Sequence, residues 1–106
     1  MAKVVTANPI KLANGQLVPS GEVCMVVVEK RRPTVARVWA PSVGDFSVQC
    51  RNLWHYFGEF LQITDEMIDD AMMDGACPSI YDFNEVEPDG WDPDGFPSIL
   101  LAMGII

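Results

Sequence analysis

VCMVVVEKRRPTVARVW, residues 23–39, holds an unbroken apolar run, a charged knot with a proline, and a second apolar stretch. The run V23-C-M-V-V-V28 reads as a central strand buried on both faces, and T34-V-A-R-V-W39 as its partner, with E29-K-R-R-P33 as the hairpin tip. Upstream, V4-V5-T6 is short and β-branched. Asn8-Pro9 interrupts it, and I10-K-L-A-N-G-Q-L-V18 carries an Asn14-Gly15 pair suited to the positive φ angles of a two-residue turn. Pro19-Ser20-Gly21 then reverses the chain. The first forty residues therefore predict a small antiparallel sheet.

Around Pro41 the hydrophobic period changes from two to about 3.6. From Cys50 to Gln62 a helical projection gathers Cys50, Leu53, Trp54, Tyr56, Phe57, Phe60 and Leu61 on one side and Arg51, His55, Glu59 and Gln62 on the other. This predicts an amphipathic helix, capped by Asp45 or Ser47, lying on the sheet as the main part of the core. A second, acidic helix follows. Thr64 is its N-cap, Asp65 and Glu66 complement its positive end, and Gly75 stops it with Pro78 beyond. Asp65, Glu66, Asp69, Asp70 and Asp74 fill one half of this helix, Met67, Ile68, Ala71 and Met72 the other, and Met73 sits among the acids. The expected fold is α+β, a single domain over 1–106 with a β-rich basic half (1–40) and a helical, turn-rich acidic half (41–106).

The charge of −8 over 106 residues is unevenly placed. All seven basic residues lie at or before position 51, where three acids accompany them, so residues 1–51 carry +4. Residues 52–106 hold twelve acids and no Lys or Arg, a charge of −12. Such a split disfavours nucleic-acid binding through the acidic half and suits contact with a basic protein or with a neighbouring copy. It also argues strongly against a helix-turn-helix reader, because the second helix would carry five acids into the groove. Lys30, Arg31 and Arg32 form a basic tip able to meet phosphate or an acidic surface.

Chemistry finds little support in the sequence. The 26- and 27-residue gaps between Cys24, Cys50 and Cys77 fit neither a disulfide framework nor a zinc site, so three buried thiols are expected. His55, the single histidine, has only Glu59 a turn away, and five helical residues would hold it about 140° from Cys50. No nucleophile elbow, phosphate loop or dinucleotide fingerprint occurs. The expectation is a protein without catalytic residues or cofactor. With no signal segment and no apolar run near the roughly 20 residues of a membrane span, it is expected to be soluble and cytoplasmic.

The stretch E87-P-D-G-W-D-P-D-G-F96 crowds acids and glycines around a tryptophan. Placing Gly95 at the invariant glycine of a calcium loop puts Asp92 and Asp94 at ligand positions but Gly90 and Leu101 at the two ends, so both end ligands are missing. An irregular calcium site on Asp89, Asp92 and Asp94 remains an alternative. Two successive Pro-Asp-Gly turns are the better reading. They would display Trp91 and Phe96 on an acidic loop as interface anchors, with core packing of Trp91 equally compatible. The apolar tail S98-I-L-L-A-M-G-I-I106 must be covered by its own core or by another subunit.

N8-P-I-K-L-A-N-G-Q-L-V-P-S-G-E-V23, a short strand, a turn and then hydrophobic–Pro–x–Gly–Glu, resembles the opening of many small accessory proteins of tailed-phage particles. Its Pro-Ser-Gly has one residue more than the usual Pro-Gly. The resemblance covers sixteen residues and implies a virion component, in the host cytoplasm or the particle. Together these features predict a protein-interaction or assembly subunit, with partner contacts on Lys30, Arg31, Arg32, Asp65, Glu66, Asp69, Asp70, Met73, Asp74, Asp89, Trp91, Asp92, Asp94 and Phe96. Two alternatives are an acidic inhibitor that imitates nucleic acid for a basic protein and a calcium-ordered module.

Overall fold

A computed structural model describes residues 1–75, 77–81 and 84–106. The fold is α+β. Four antiparallel strands, β1 (Ala2–Val5), β4 (Val23–Val28), β5 (Val35–Ala40) and β6 (Gly44–Gln49), form a sheet in the order β1-β4-β5-β6. Between β1 and β4 the chain makes a separate hairpin of β2 (Ile10–Lys11) and β3 (Leu17–Val18). Its loop is closed by Leu12 N–H on the Gln16 carbonyl, 2.9 Å, around a turn in which Gly15 N–H donates to the Leu12 carbonyl. Gly15 takes φ +88°, so three residues turn here rather than two, and the glycine occupies the left-handed position that such a loop requires.

The predicted hairpin at 23–39 is β4–β5, with Val26 opposite Val38 and Met25 opposite Trp39. Burial in β4 departs from the sequence expectation. Cys24, Val26 and Val28 are buried, whereas Val23 and Val27 are 46% and 38% exposed, so only one face of the strand is covered. Ala2 and Val4 of β1 and Ala36, Val38 and Ala40 of β5 continue that inner face.

The long helix expected over 50–62 is not formed. Residues 44–49 are a strand paired to β5, with Phe46 and Val48 half-buried and Asp45, Ser47 and Gln49 exposed, so Asp45 and Ser47 cap nothing. A 3-10 turn (Cys50–Asn52) leads into one helical turn, α1 (Leu53–Tyr56), and Phe57 is already extended at φ −128°, ψ 120°. Aromatic residues are mediocre helix formers, and extended backbone at Phe57 and Phe60 makes two bridges a helix would forfeit, to Thr6 and to Tyr81. Leu53, Phe57 and Phe60 still point into the core, as the apolar periodicity required.

α2 (Asp65–Asp74) matches its sequence signals: the Thr64 hydroxyl accepts from Met67 N–H at 3.3 Å, and Gly75 ends it at φ 73°. Ala71 is buried and Met67 and Ile68 are half-buried, but Met72, assigned to the core face, is 61% exposed. A two-residue strand pair, β7 (Cys77–Pro78) with β8 (Glu85–Val86), and one turn of helix, α3 (Ile99–Ala102), complete the chain. The tail is covered in part by its own core. Ile99, Leu100 and Ala102 are buried, while Ile105 and Ile106 are 41% and 57% exposed.

Candidate functional site: an open apolar sheet face

Because side chains alternate along a strand, the residues between the buried ones in β1, β4, β5 and β6 share the opposite face of the sheet. Cross-strand register sets them in rows. Lys3, Met25, Trp39 and Asp45 form one, Val27, Arg37 and Ser47 the next towards the β4–β5 tip, and Val5 and Val23 a third at the other end. Val5, Val23, Val27 and Trp39 are each exposed by more than a third, and Met25 is half-buried between Lys3 and Trp39. A contiguous apolar patch rimmed by Lys3, Arg37, Asp45 and Gln49 is the usual make-up of a protein-contact surface. None of Val5, Val23, Met25, Val27 or Trp39 was singled out from the sequence. The signal was there in the unbroken apolar run 23–28, which leaves one apolar side uncovered if only one side is buried.

The predicted contact residues fall into three other places. Lys30, Arg31 and Arg32 are exposed at the β4–β5 tip, where Arg31 Nε lies 3.1 Å from the Glu29 carboxylate. Asp65, Glu66, Asp69, Asp70, Met73 and Asp74 are all exposed on α2, Met73 at 86%. Beside that helix a shallow cleft of about 370 Å³ is lined by Met67, Asp70, Ala71, Asp74, Cys77, Pro78 and Glu85.

The 87–96 stretch does form two turns, Gly90 N–H to the Glu87 carbonyl (2.8 Å) and Gly95 N–H to the Asp92 carbonyl (3.0 Å). Their contents correct the expectation of a displayed loop. Phe96 is fully buried against Phe60 and Tyr81, with centroids 5.3 and 4.8 Å away, and Trp91 is half-buried against the core. Asp92 is 5% exposed. One of its oxygens accepts from Asp94 N–H and Phe96 N–H, both 2.9 Å, and the other from the Ser79 hydroxyl at 2.7 Å. Those bonds turn Asp92 inward as the organiser of the loop and leave Glu87, Asp89 and Asp94 as its exposed acids. Among the described residues no group of three or more His, Cys, Asp or Glu side chains converges as a metal site.

The three cysteines are free and buried. Burial pushes the Cys50 thiol up to about 12 from its ordinary 9.0, and burial followed by the charge of Glu22 raises Cys24. Above pH 9 the unfolded chain releases protons that the folded chain keeps, so this contribution to stability is whole below about pH 9 and is lost as pH climbs towards 12. The slope attributable to Cys50 approaches about 1.4 kcal/mol per pH unit. Urea unfolding should show a lower midpoint at about pH 10.5 than at about pH 8, with a shallower fall in Cys50→Ala; equal midpoints in the unsubstituted protein would contradict the assignment.

His55 is exposed and stacks on Trp54 at 3.8 Å between centroids. No family model, curated protein or solved structure matches the chain. Among the described residues no helix is long and apolar enough to cross a membrane.

Proposed function

We propose that the protein is a non-catalytic interaction subunit of a larger assembly, of the virion type to which residues 8–23 bear a resemblance. The observation that carries this reading is the open sheet face. A small domain that leaves Val5, Val23, Val27 and Trp39 exposed on one regular surface keeps apolar area for a partner. The charge split gives that contact a direction, since the sheet and its tip hold five of the seven basic residues, Lys3, Lys30, Arg31, Arg32 and Arg37, and residues 52–106 hold twelve of the fifteen acids. Electrostatic complementarity of this kind steers encounter and fixes orientation.

A second reading, an acidic surface imitating nucleic acid for a basic protein, is favoured by the five exposed acids of α2, none of which is ion-paired among the described residues. One experiment addresses both. A photo-reactive phenylalanine replaces Trp39, Met73 or, as a control, Asn14, and the protein is irradiated in the cells that make it. The first reading expects a discrete covalent adduct from position 39 and none from position 14. Adducts to a basic protein from position 73 alone would favour the second, and no adduct from 39 or 73 would reject both.

A further inference from the structure

The order of residues along the central row of the open face says what covers it. Reading from β1 to β6, the row is Lys3, Met25, Trp39, Asp45: a cation, two apolar side chains and an anion. Lys3, Trp39 and Asp45 are exposed. The pattern becomes its own complement when reversed. We infer that the open face binds a second copy of this chain, sheet on sheet, about a two-fold axis running close to the strand direction.

The geometry follows from symmetry. Two sheets stacked face to face lie about 10 Å apart, with mean strand directions within about 30°. A two-fold axis between them can run along the strands or across them. Along the strands, β1 stacks on the partner's β6 and β4 on the partner's β5, so Lys3 meets the partner's Asp45 and Met25 meets the partner's Trp39. Across the strands, β1 stacks on β1 and β6 on β6, which sets lysine on lysine and aspartate on aspartate. Like charges facing each other oppose the second arrangement, and the first gains two charge pairs and two sulfur–aromatic contacts. Such an interface is isologous, the commonest kind among homo-oligomers.

The neighbouring rows fit the same axis. Val27 faces the partner's Arg37, whose aliphatic stem covers apolar surface while its guanidinium reaches the rim. Val5 and Val23 extend the apolar area beyond the central row. At about 4.8 Å between strands and about 3.4 Å per residue, the face measures roughly 15 by 20 Å, about 300 Å² a side, the scale of a weak, transient contact rather than a stable or obligate one. The expected dimer is therefore concentration-dependent.

The inference rests on the reading that the protein works by protein contact, and its test separates the two. Sedimentation equilibrium on the full chain should show a reversible dimer of the 11.7 kDa protomer. Lys3→Asp and Asp45→Lys each turn two attractive pairs into repulsive ones and should each weaken the dimer by roughly tenfold. The double variant restores the pairs in swapped form and should dimerise as the unsubstituted protein does. Mixing the two single variants should give a heterodimer in preference to either homodimer, which a general effect on folding or net charge would not produce. Trp39→Ala should weaken the dimer by roughly a hundredfold. The proposal is overturned if the protein stays monomeric at all concentrations, or if the swaps do not rescue one another. It is equally overturned if the adduct from position 39 maps to residues 65–74 of another copy or to a different protein; the adduct to a different protein would still leave the contact reading intact.

Discussion

Asp92→Ala is expected to destabilise the protein by about 3–5 kcal/mol, while Asp89→Ala and Asp94→Ala, in the same acidic loop, should change stability by less than about 0.5 kcal/mol. The contrast comes from where the carboxylates point. Asp89 and Asp94 are exposed, but Asp92 is 5% exposed and accepts three hydrogen bonds. Alanine at 92 would strand the amide of Phe96 in the interior, where a buried donor left unpaired costs about 1–3 kcal/mol, and would remove the charged acceptor of the Ser79 hydroxyl, which keeps only the Tyr81 carbonyl and amide. The loop's own register is also at stake. Asp92 N–H donates to the Phe96 carbonyl at 2.8 Å, and that closure places Phe96 against Phe60 and Tyr81. Against a total stability of about 5–15 kcal/mol, the loss would lower the thermal midpoint by something on the order of 15 °C. Asp92→Asn should fall between, because its amide oxygen can still accept from the backbone while its NH2 cannot accept from Ser79. Similar effects for all three aspartates would mean that the loop is held by a shared ligand or partner rather than by Asp92.

Local signals in the sequence were read correctly where the chain itself satisfies them. The Thr64 cap, the Gly75 stop and the two Pro-Asp-Gly turns each depend on groups a few residues apart, and each is found. The Asn14-Gly15 loop, one residue longer than a two-residue turn, is a local exception; the larger differences arise where distant parts of the chain compete with a local preference. Residues 44–49 alternate Phe46 and Val48 with Asp45, Ser47 and Gln49, a period of two that points to a strand, but the helical spacing from Cys50 onward drew the boundary too early. From Cys50 onward, the spacing marked which residues are buried without marking a helix, because Leu53, Phe57 and Phe60 can also be brought inward by one helical turn followed by a tight turn. The inward turn of Asp92 rests partly on local bonds from the amides of Asp94 and Phe96, but its other oxygen is held by Ser79, thirteen residues away, which no local pattern reveals. The open face was hidden for a related reason. An apolar run cannot say whether one or both of its faces will be covered, since that depends on how much chain is left to cover them.

Phe57→Ala tests that reading of the middle of the chain, with an expected loss of about 3–5 kcal/mol. Phe57 is fully buried, its ring meets Phe60 edge-on at 6.1 Å between centroids, and its backbone bridges Thr6 at the end of the β1 segment. Thr6 in turn is anchored by its hydroxyl, which donates to the Pro19 carbonyl at 2.7 Å and accepts from Glu22 N–H at 2.9 Å. Residue 57 therefore joins two units, the sheet with its hairpin through its backbone and, through its ring, the aromatic cluster of Phe60, Tyr81 and Phe96 that holds the C-terminal segment. Alanine is the better helix former by about 0.5 kcal/mol, so a chain in which 50–62 were one helix would recover part of the loss through propensity. With Phe57 already extended, that compensation does not arise and the whole cavity cost remains. Phe57→Leu, which keeps most of the volume, should cost less than half as much. Trp54→Ala, at a half-buried position on the same turn, should cost less than Phe57→Ala. Chemical unfolding of the three variants checks the order. A Phe57→Ala loss below about 1 kcal/mol, or a Trp54 loss exceeding it, would place the core of this segment on the wrong residue.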